Sequence, residues 1–77
     1  MTKLYGQLKC PKCAAAKEAL KGQDYEYVDM DTIDGRADGL FYDVMSTPTV
    51  LIFTKGEIDP RRFVGEEIRN LSLGDVR

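Results

Sequence analysis

The chain has no histidine and only two cysteines, too few of the usual ligands for a structural zinc ion. A closed zinc site takes four ligands, mostly cysteine and histidine, so this single cysteine pair would need carboxylates or a second molecule to complete it. A basic surplus is also missing. The 11 Lys and Arg stand against 13 Asp and Glu, for a net charge of -2, which argues against the clustered positive face of a nucleic-acid binder. No run approaches the roughly 18 apolar residues of a membrane span, so neither nucleic acid nor a membrane is an expected partner. The opening residues, Met1-Thr2-Lys3-Leu4-Tyr5-Gly6, lack the apolar stretch of a signal peptide, and the expected compartment is the cytoplasm. A permanent disulfide is unusual there, whereas a transient catalytic one is ordinary.

What is present describes a small globular protein. Hydrophobic residues make up 43% and charged residues 31%, too apolar a balance for a disordered chain. At 77 residues the expected organisation is a single domain over 1–77, monomeric, burying about 60% of the surface its unfolded chain exposes. No internal repeat or low-complexity segment interrupts it.

The two cysteines lie in Lys9-Cys10-Pro11-Lys12-Cys13, where a strand pattern gives way to a helical one. Residues three apart in a helical first turn share a face, so the two sulfurs can close a small disulfide ring. Thr2 to Gly6 reads as a first strand ended by glycine. Pro11 suits the first helical position, and the alanine-rich stretch Ala14 to Lys21 continues the helix until Gly22. Cys13, Ala16, Ala19 and Leu20 form its apolar stripe. Tyr25-Glu26-Tyr27-Val28-Asp29 predicts a second strand parallel to the first, with its tyrosines, like Tyr5, read as strand packing. Arg36 to Val44 is a weaker helical candidate with Leu40, Phe41 and Val44 on one face. Thr49 to Phe53 is the most apolar run and, after Thr47-Pro48, should be a central strand. Lys55-Gly56 marks a turn, Arg61 to Val64 an antiparallel edge strand, and Glu66 to Leu73 a closing helix with Ile68, Leu71 and Leu73 inward. The result is an α/β fold in the order β-α-β-α-β-β-α: a four-stranded mixed sheet with about three helices.

Three features in this order, Cys10-Pro11-Lys12-Cys13, Ser46-Thr47-Pro48-Thr49-Val50 and the turn containing Gly65, resemble the glutaredoxins and glutaredoxin-like members of the thioredoxin fold over nearly the whole chain. The resemblance implies a thiol-disulfide oxidoreductase with Cys10 and Cys13 as catalytic thiols and a cis peptide before Pro48. It further implies a substrate-binding surface of Pro11, Lys12, Thr47, Pro48, Gly65 and Glu66, where the Thr47 backbone pairs with an extended thiol peptide like an added strand. No tightly bound cofactor is implied. Expected partners are disulfide-containing proteins, ribonucleotide reductase among them, with electrons from glutathione or from a thioredoxin-reductase-type enzyme. The sequence departs from glutathione-using relatives at Gln7, where they carry a basic residue, and at Lys12, where they carry tyrosine. In the last turn, Glu66 and Glu67 stand where those relatives have glycine and an acidic pair.

The chemistry of the pair can be argued from the residues alone. A thiolate is the attacking species and a free cysteine has a pKa near 8.5, so a nucleophile working at neutral pH needs its charge stabilised. Cys10, at the expected N-cap, meets unpaired helix N–H groups and the positive dipole end, with Lys9 and Lys12 beside it. From these sources together a lowering of its pKa by about one or two units is the expectation. Cys13, one turn in, should stay a thiol and resolve the mixed disulfide that Cys10 forms. The competing reading is a non-enzymatic metal or iron-sulfur carrier that uses the same two thiolates.

Overall fold

In the computed structural model, which describes residues 1–70, four strands form one mixed sheet. They are β1 (Thr2–Gly6), β2 (Glu26–Asp29), β3 (Thr49–Ile52) and β4 (Arg61–Val64), ordered β2-β1-β3-β4. Two α-helices, α1 (Pro11–Ala19) and α2 (Ile33–Phe41), and a closing 3-10 segment (Gly65–Asn70) complete the order. β1 runs parallel to β2, with Leu4 opposite Tyr27, and antiparallel to β3, with Leu4 opposite Val50. β4 returns antiparallel along β3, pairing Val50 with Phe63.

Side chains alternate across a strand, so the central strands β1 and β3 feed two cores. Leu4, Val50 and Ile52 join Ala16 and Leu20 of α1 and Ile68 of the closing segment. On the other face Tyr5 and Leu51 join Val28 and Val44. Both neighbours of β1 are strands, and all five of its residues are buried.

Among the described residues there are two α-helices where about three were expected; the third is the 3-10 segment, and the part of that expectation beyond Asn70 lies outside the described residues. Gly65 turns the chain at φ +59°. Its N–H donates to the Pro48 carbonyl at 2.9 Å, and the Val64 N–H donates to the Glu67 carboxylate at 2.9 Å. These ties hold a tight winding that delivers Ile68 to the core.

The second helix also differs from its expected span of Arg36 to Val44. It begins at Ile33 because Thr32 caps it: the Thr32 hydroxyl accepts from the Gly35 N–H at 2.9 Å and donates to the Asp29 carbonyl at 2.8 Å. Its inner face is made of glycine. A Cβ on Gly35 would stand 1.8 Å from the Asp29 carbonyl oxygen, and one on Gly39 would stand 2.6 Å from Met30 Cε. Leu40 and Phe41 therefore face outward, and only Val44, beyond the helix end, is buried. On α1, Ala19 likewise is exposed, while Cys13, Ala16 and Leu20 carry the buried stripe.

A polar staple fastens α2 to β1. Asp38 accepts from the Lys3 ammonium at 2.9 Å and from the Tyr5 hydroxyl, and the Lys3 ammonium also lies over the rings of Tyr42 and Phe53. Burial alone would raise the Asp38 pKa, but the hydrogen bonds from Tyr5 and Lys3 outweigh it and hold the carboxyl below its ordinary value. For Lys3 burial works against the charge, and the bond to Asp38 reverses the balance, so its pKa lies above the ordinary value. Burial and then Asp38 push the Tyr5 phenol far upward.

A depressed carboxyl pKa contributes stability above the unfolded value, near 3.9, that is lost as pH falls through the folded value. The raised Lys3 pKa acts at the other end: its contribution is full below about pH 10.4 and lost as pH climbs through the folded value. Asp38→Ala should cost about 1–3 kcal/mol at pH 7, with the deficit shrinking below about pH 4; urea unfolding at pH 7 and pH 3 measures both. An equal deficit at the two pH values would remove the charge from this account. Gly35→Ala should cost a further, independent amount of about 1–3 kcal/mol through overpacking on the end of β2, read as a lower urea midpoint.

Candidate active site

The site forms where β1 ends and α1 begins. Gly6 closes the strand, Gln7 to Lys9 form a short loop, and Cys10 is the N-cap of α1 with extended backbone (φ -136°, ψ 100°) and Pro11 next to it. Cysteine is an uncommon cap. Here its sulfur accepts the Cys13 N–H at 3.2 Å, satisfying one of the donors that a helix start leaves open. The winding brings the two Cα atoms to 5.2 Å, and Cys10 and Cys13 are joined as a disulfide.

The two sulfurs meet unlike surroundings. Cys10 is half-buried at the surface, whereas Cys13 is 2% exposed under the first turn, so an incoming group reaches Cys10 first. Pro11, Lys9 and Lys12 are exposed around it. An anionic sulfur at Cys10 would face the open N–H groups of α1 and its positive dipole end.

Opposite the cysteines stands the loop entering β3. The Thr47–Pro48 peptide bond is cis, and Pro48 is buried. The Thr47 hydroxyl lies 3.8 Å from Cys10 Sγ and donates to the Gln7 side-chain oxygen at 3.0 Å. Thr49 fastens the same loop through its hydroxyl, which donates to the Ser46 carbonyl at 2.7 Å. Gly65 joins this assembly through its N–H on the Pro48 carbonyl, and Glu66 follows it in the chain.

Two residues that sequence reasoning did not place at the site help to build it. Gln7 bridges Thr47 on one side and Asp31 on the other, donating to the Asp31 carboxylate at 3.2 Å. The other oxygen of Asp31 accepts the Leu8 N–H at 3.2 Å. The turn after β2 thereby holds the loop that presents Cys10. A polar residue three before the first cysteine and an acidic turn after β2 were the available signals; their pairing depends on the register of β1 with β2. Beside Thr47 opens a hollow of about 260 Å³, lined by Gln7, Met30, Arg36, Val44, Met45, Ser46 and Thr47. Arg36 is fixed on its rim by a bond from its Nε to the Met30 carbonyl at 3.0 Å.

Tyr27 corrects another expectation. The residue is 36% exposed rather than packed in the sheet, and Lys17 of α1 lies over its ring at 4.3 Å from the centroid. Among the described residues, no group of three or more Cys, His, Asp and Glu could hold a metal ion. No helix among the described residues is long and apolar enough to cross a membrane.

No protein-family model and no curated protein sequence matches the chain. Solved structures do. The crystal structure of the thioredoxin-like protein BC3987 matches at 38% identity and a TM-score of 0.58, over 68% of this chain and 77% of that one. A single-residue mutant of the same protein matches at 39% identity and 0.63, over 68% and 76%. The solution structure of a thioredoxin from Thermus thermophilus covers 90% of this chain and 64% of that one with a TM-score of 0.60, and at 22% identity it speaks for the fold alone. A mixed sheet of this order, a cysteine pair at the first turn of α1 and more than a third of residues shared with BC3987 over most of both chains lead to one conclusion: the protein belongs to the thioredoxin-like family.

Proposed function

We propose that the protein is a glutaredoxin-like thiol-disulfide oxidoreductase that reduces protein disulfides or mixed disulfides with glutathione. The observation that carries this reading is the asymmetry of the pair: Cys10 at the surface on the helix N-terminus, Cys13 buried one turn behind it.

In the reduced protein the Cys10 thiolate attacks one sulfur of a substrate disulfide. A Cys10–substrate disulfide forms, and the other substrate sulfur leaves as a thiolate that takes a proton from water. The Cys13 thiol then gives up its proton and attacks Cys10 Sγ. The Cys10–Cys13 bond closes, the second substrate sulfur leaves and is protonated, and two electrons have passed from the dithiol to the substrate. Glutathione or a thioredoxin-reductase-type enzyme returns two electrons to the pair. The bound segment lies extended along Thr47 and Pro48, with its sulfur over Cys10 and Lys12 and Gly65 flanking it, in the manner of an added strand.

Gln7 favours the enzyme donor over glutathione. Its amide is committed to Asp31 and Thr47, so the point three residues before Cys10 offers no cation to a tripeptide carboxylate. Protein disulfides with a reductase as electron source are accordingly the first pairing to assay.

Cys10→Ser should bring disulfide exchange to background. Cys13→Ser should retain the first attack and accumulate the mixed disulfide, visible as an intact-mass increase equal to the substrate thiol. Loss of the first attack in Cys13→Ser with its retention in Cys10→Ser would reverse the roles. A metal bound stoichiometrically by the wild type and lost in Cys10→Ser would favour the carrier reading instead.

A further inference from the structure

Resolution of a mixed disulfide requires Cys13 to become a thiolate, yet the residue is 2% exposed and burial opposes a charge there. The residues around it show what offsets that cost. Gly6, at the end of β1, leaves an open point beneath the first turn of α1: a Cβ built there would stand 3.4 Å from Cys13 Sγ and 3.0 Å from both the hydroxyl oxygen and Cε1 of Tyr27. The Tyr27 hydroxyl and the Cys13 sulfur thus both border the point that a side chain at position 6 would occupy, and glycine there keeps the space between them free.

We infer that the Tyr27 hydroxyl acts as the hydrogen-bond donor to the Cys13 thiolate during resolution, and that Lys17 holds the phenol in place for it. This rests on the dithiol reading proposed above. The register places Tyr27 opposite Leu4, on the face of the sheet that α1 covers. Lys17, one turn beyond Cys13, clamps the ring by lying over its face, an interaction worth more where water is partly excluded. Tyr27 keeps its proton throughout: it donates a bond and transfers nothing. Burial, and then the charges of Asp29 and Asp31, raise the phenol pKa, so the group stays a donor at pH values where thiols ionise.

Around Cys13 stand the cap Cys10, Gly6 at the end of β1 and the Tyr27 ring of β2, with Lys17 of α1 over that ring. Lys9 and Lys12 are exposed at the helix start, and Glu67 of the closing segment is turned to the Val64 N–H.

The test uses Cys10→Ser as background, so that Cys13 is the sole thiol, and follows its thiolate absorbance against pH. Adding Tyr27→Phe should raise the Cys13 midpoint by about one unit, since a bond to a charged group is worth about that much. Gly6→Ala, whose methyl would displace the phenol, should do the same. In the two-cysteine protein, Tyr27→Phe should slow decay of a preformed Cys10 mixed disulfide about threefold at pH 7. The tenfold fall in thiolate fraction is partly offset by the greater nucleophilicity of a more basic thiol. Its pH profile should move up by the same unit, a shift that a purely structural role would not produce. An unchanged midpoint in Tyr27→Phe, or a full shift from Lys17→Gln with none from Tyr27→Phe, overturns the proposal. The titration needs no turnover: a wild type inactive toward every disulfide, with the shift intact, would sink the oxidoreductase reading and with it the role in resolution, while the Tyr27–Cys13 bond itself would stand.

Discussion

One N–H group anchors the chemistry of this molecule: that of Cys13, which donates to the sulfur of Cys10. This bond makes a cysteine the cap of α1 and fixes its sulfur at the positive end of the helix. The helix in turn is positioned by its buried stripe, Ala16 and Leu20 against Leu4 and Val50. Were the stripe to slip by one residue, Cys13 would leave its place beside Gly6 and Cys10 would be presented to a different part of the sheet edge. The packing of a few aliphatic side chains thus sets where on the sheet the reactive pair stands.

Around that turn the sheet delivers three loops to one edge. β1 ends at Gly6 and leads to the cysteines, β2 ends at Asp29 and leads to Asp31, and β3 begins just after Pro48. Parallel pairing of β1 with β2 brings the first two together, and antiparallel pairing of β1 with β3 brings the third. Gln7 then ties all three, bonding Asp31 on one side and Thr47 on the other. These loops belong to strand ends, so the hollow beside Thr47 is shaped by the sheet register more than by any single side chain.

Much of this was legible before any coordinates, for physical reasons. β1 and β4 have the spans that apolar patterning and turn residues indicate, and α1 starts at the proline that suits a first helical position. The second helix was not legible. Its apolar residues Leu40 and Phe41 point to water while Gly35 and Gly39 face the sheet, so hydrophobic periodicity reported the wrong face. The true start, capped by Thr32, lay inside a stretch that composition marks as a turn. Tyr27 misled in the same way, because aromatic residues in a strand usually pack, and the place of its ring beside Gly6 depends on a glycine in a different strand. The Lys3–Tyr5–Asp38 staple needed the orientation of α2, which periodicity had assigned incorrectly.

The central claim is that the fold makes Cys10 the attacking sulfur and Cys13 the reserve. Alkylation of the fully reduced protein over a pH series, with each adduct located by peptide mass mapping, tests it directly. The account predicts modification of Cys10 alone near pH 7, with a midpoint below the value of about 8.5 for a free thiol, and modification of Cys13 only at higher pH. Equal reaction of both sulfurs at neutral pH, or earlier reaction of Cys13, would contradict it.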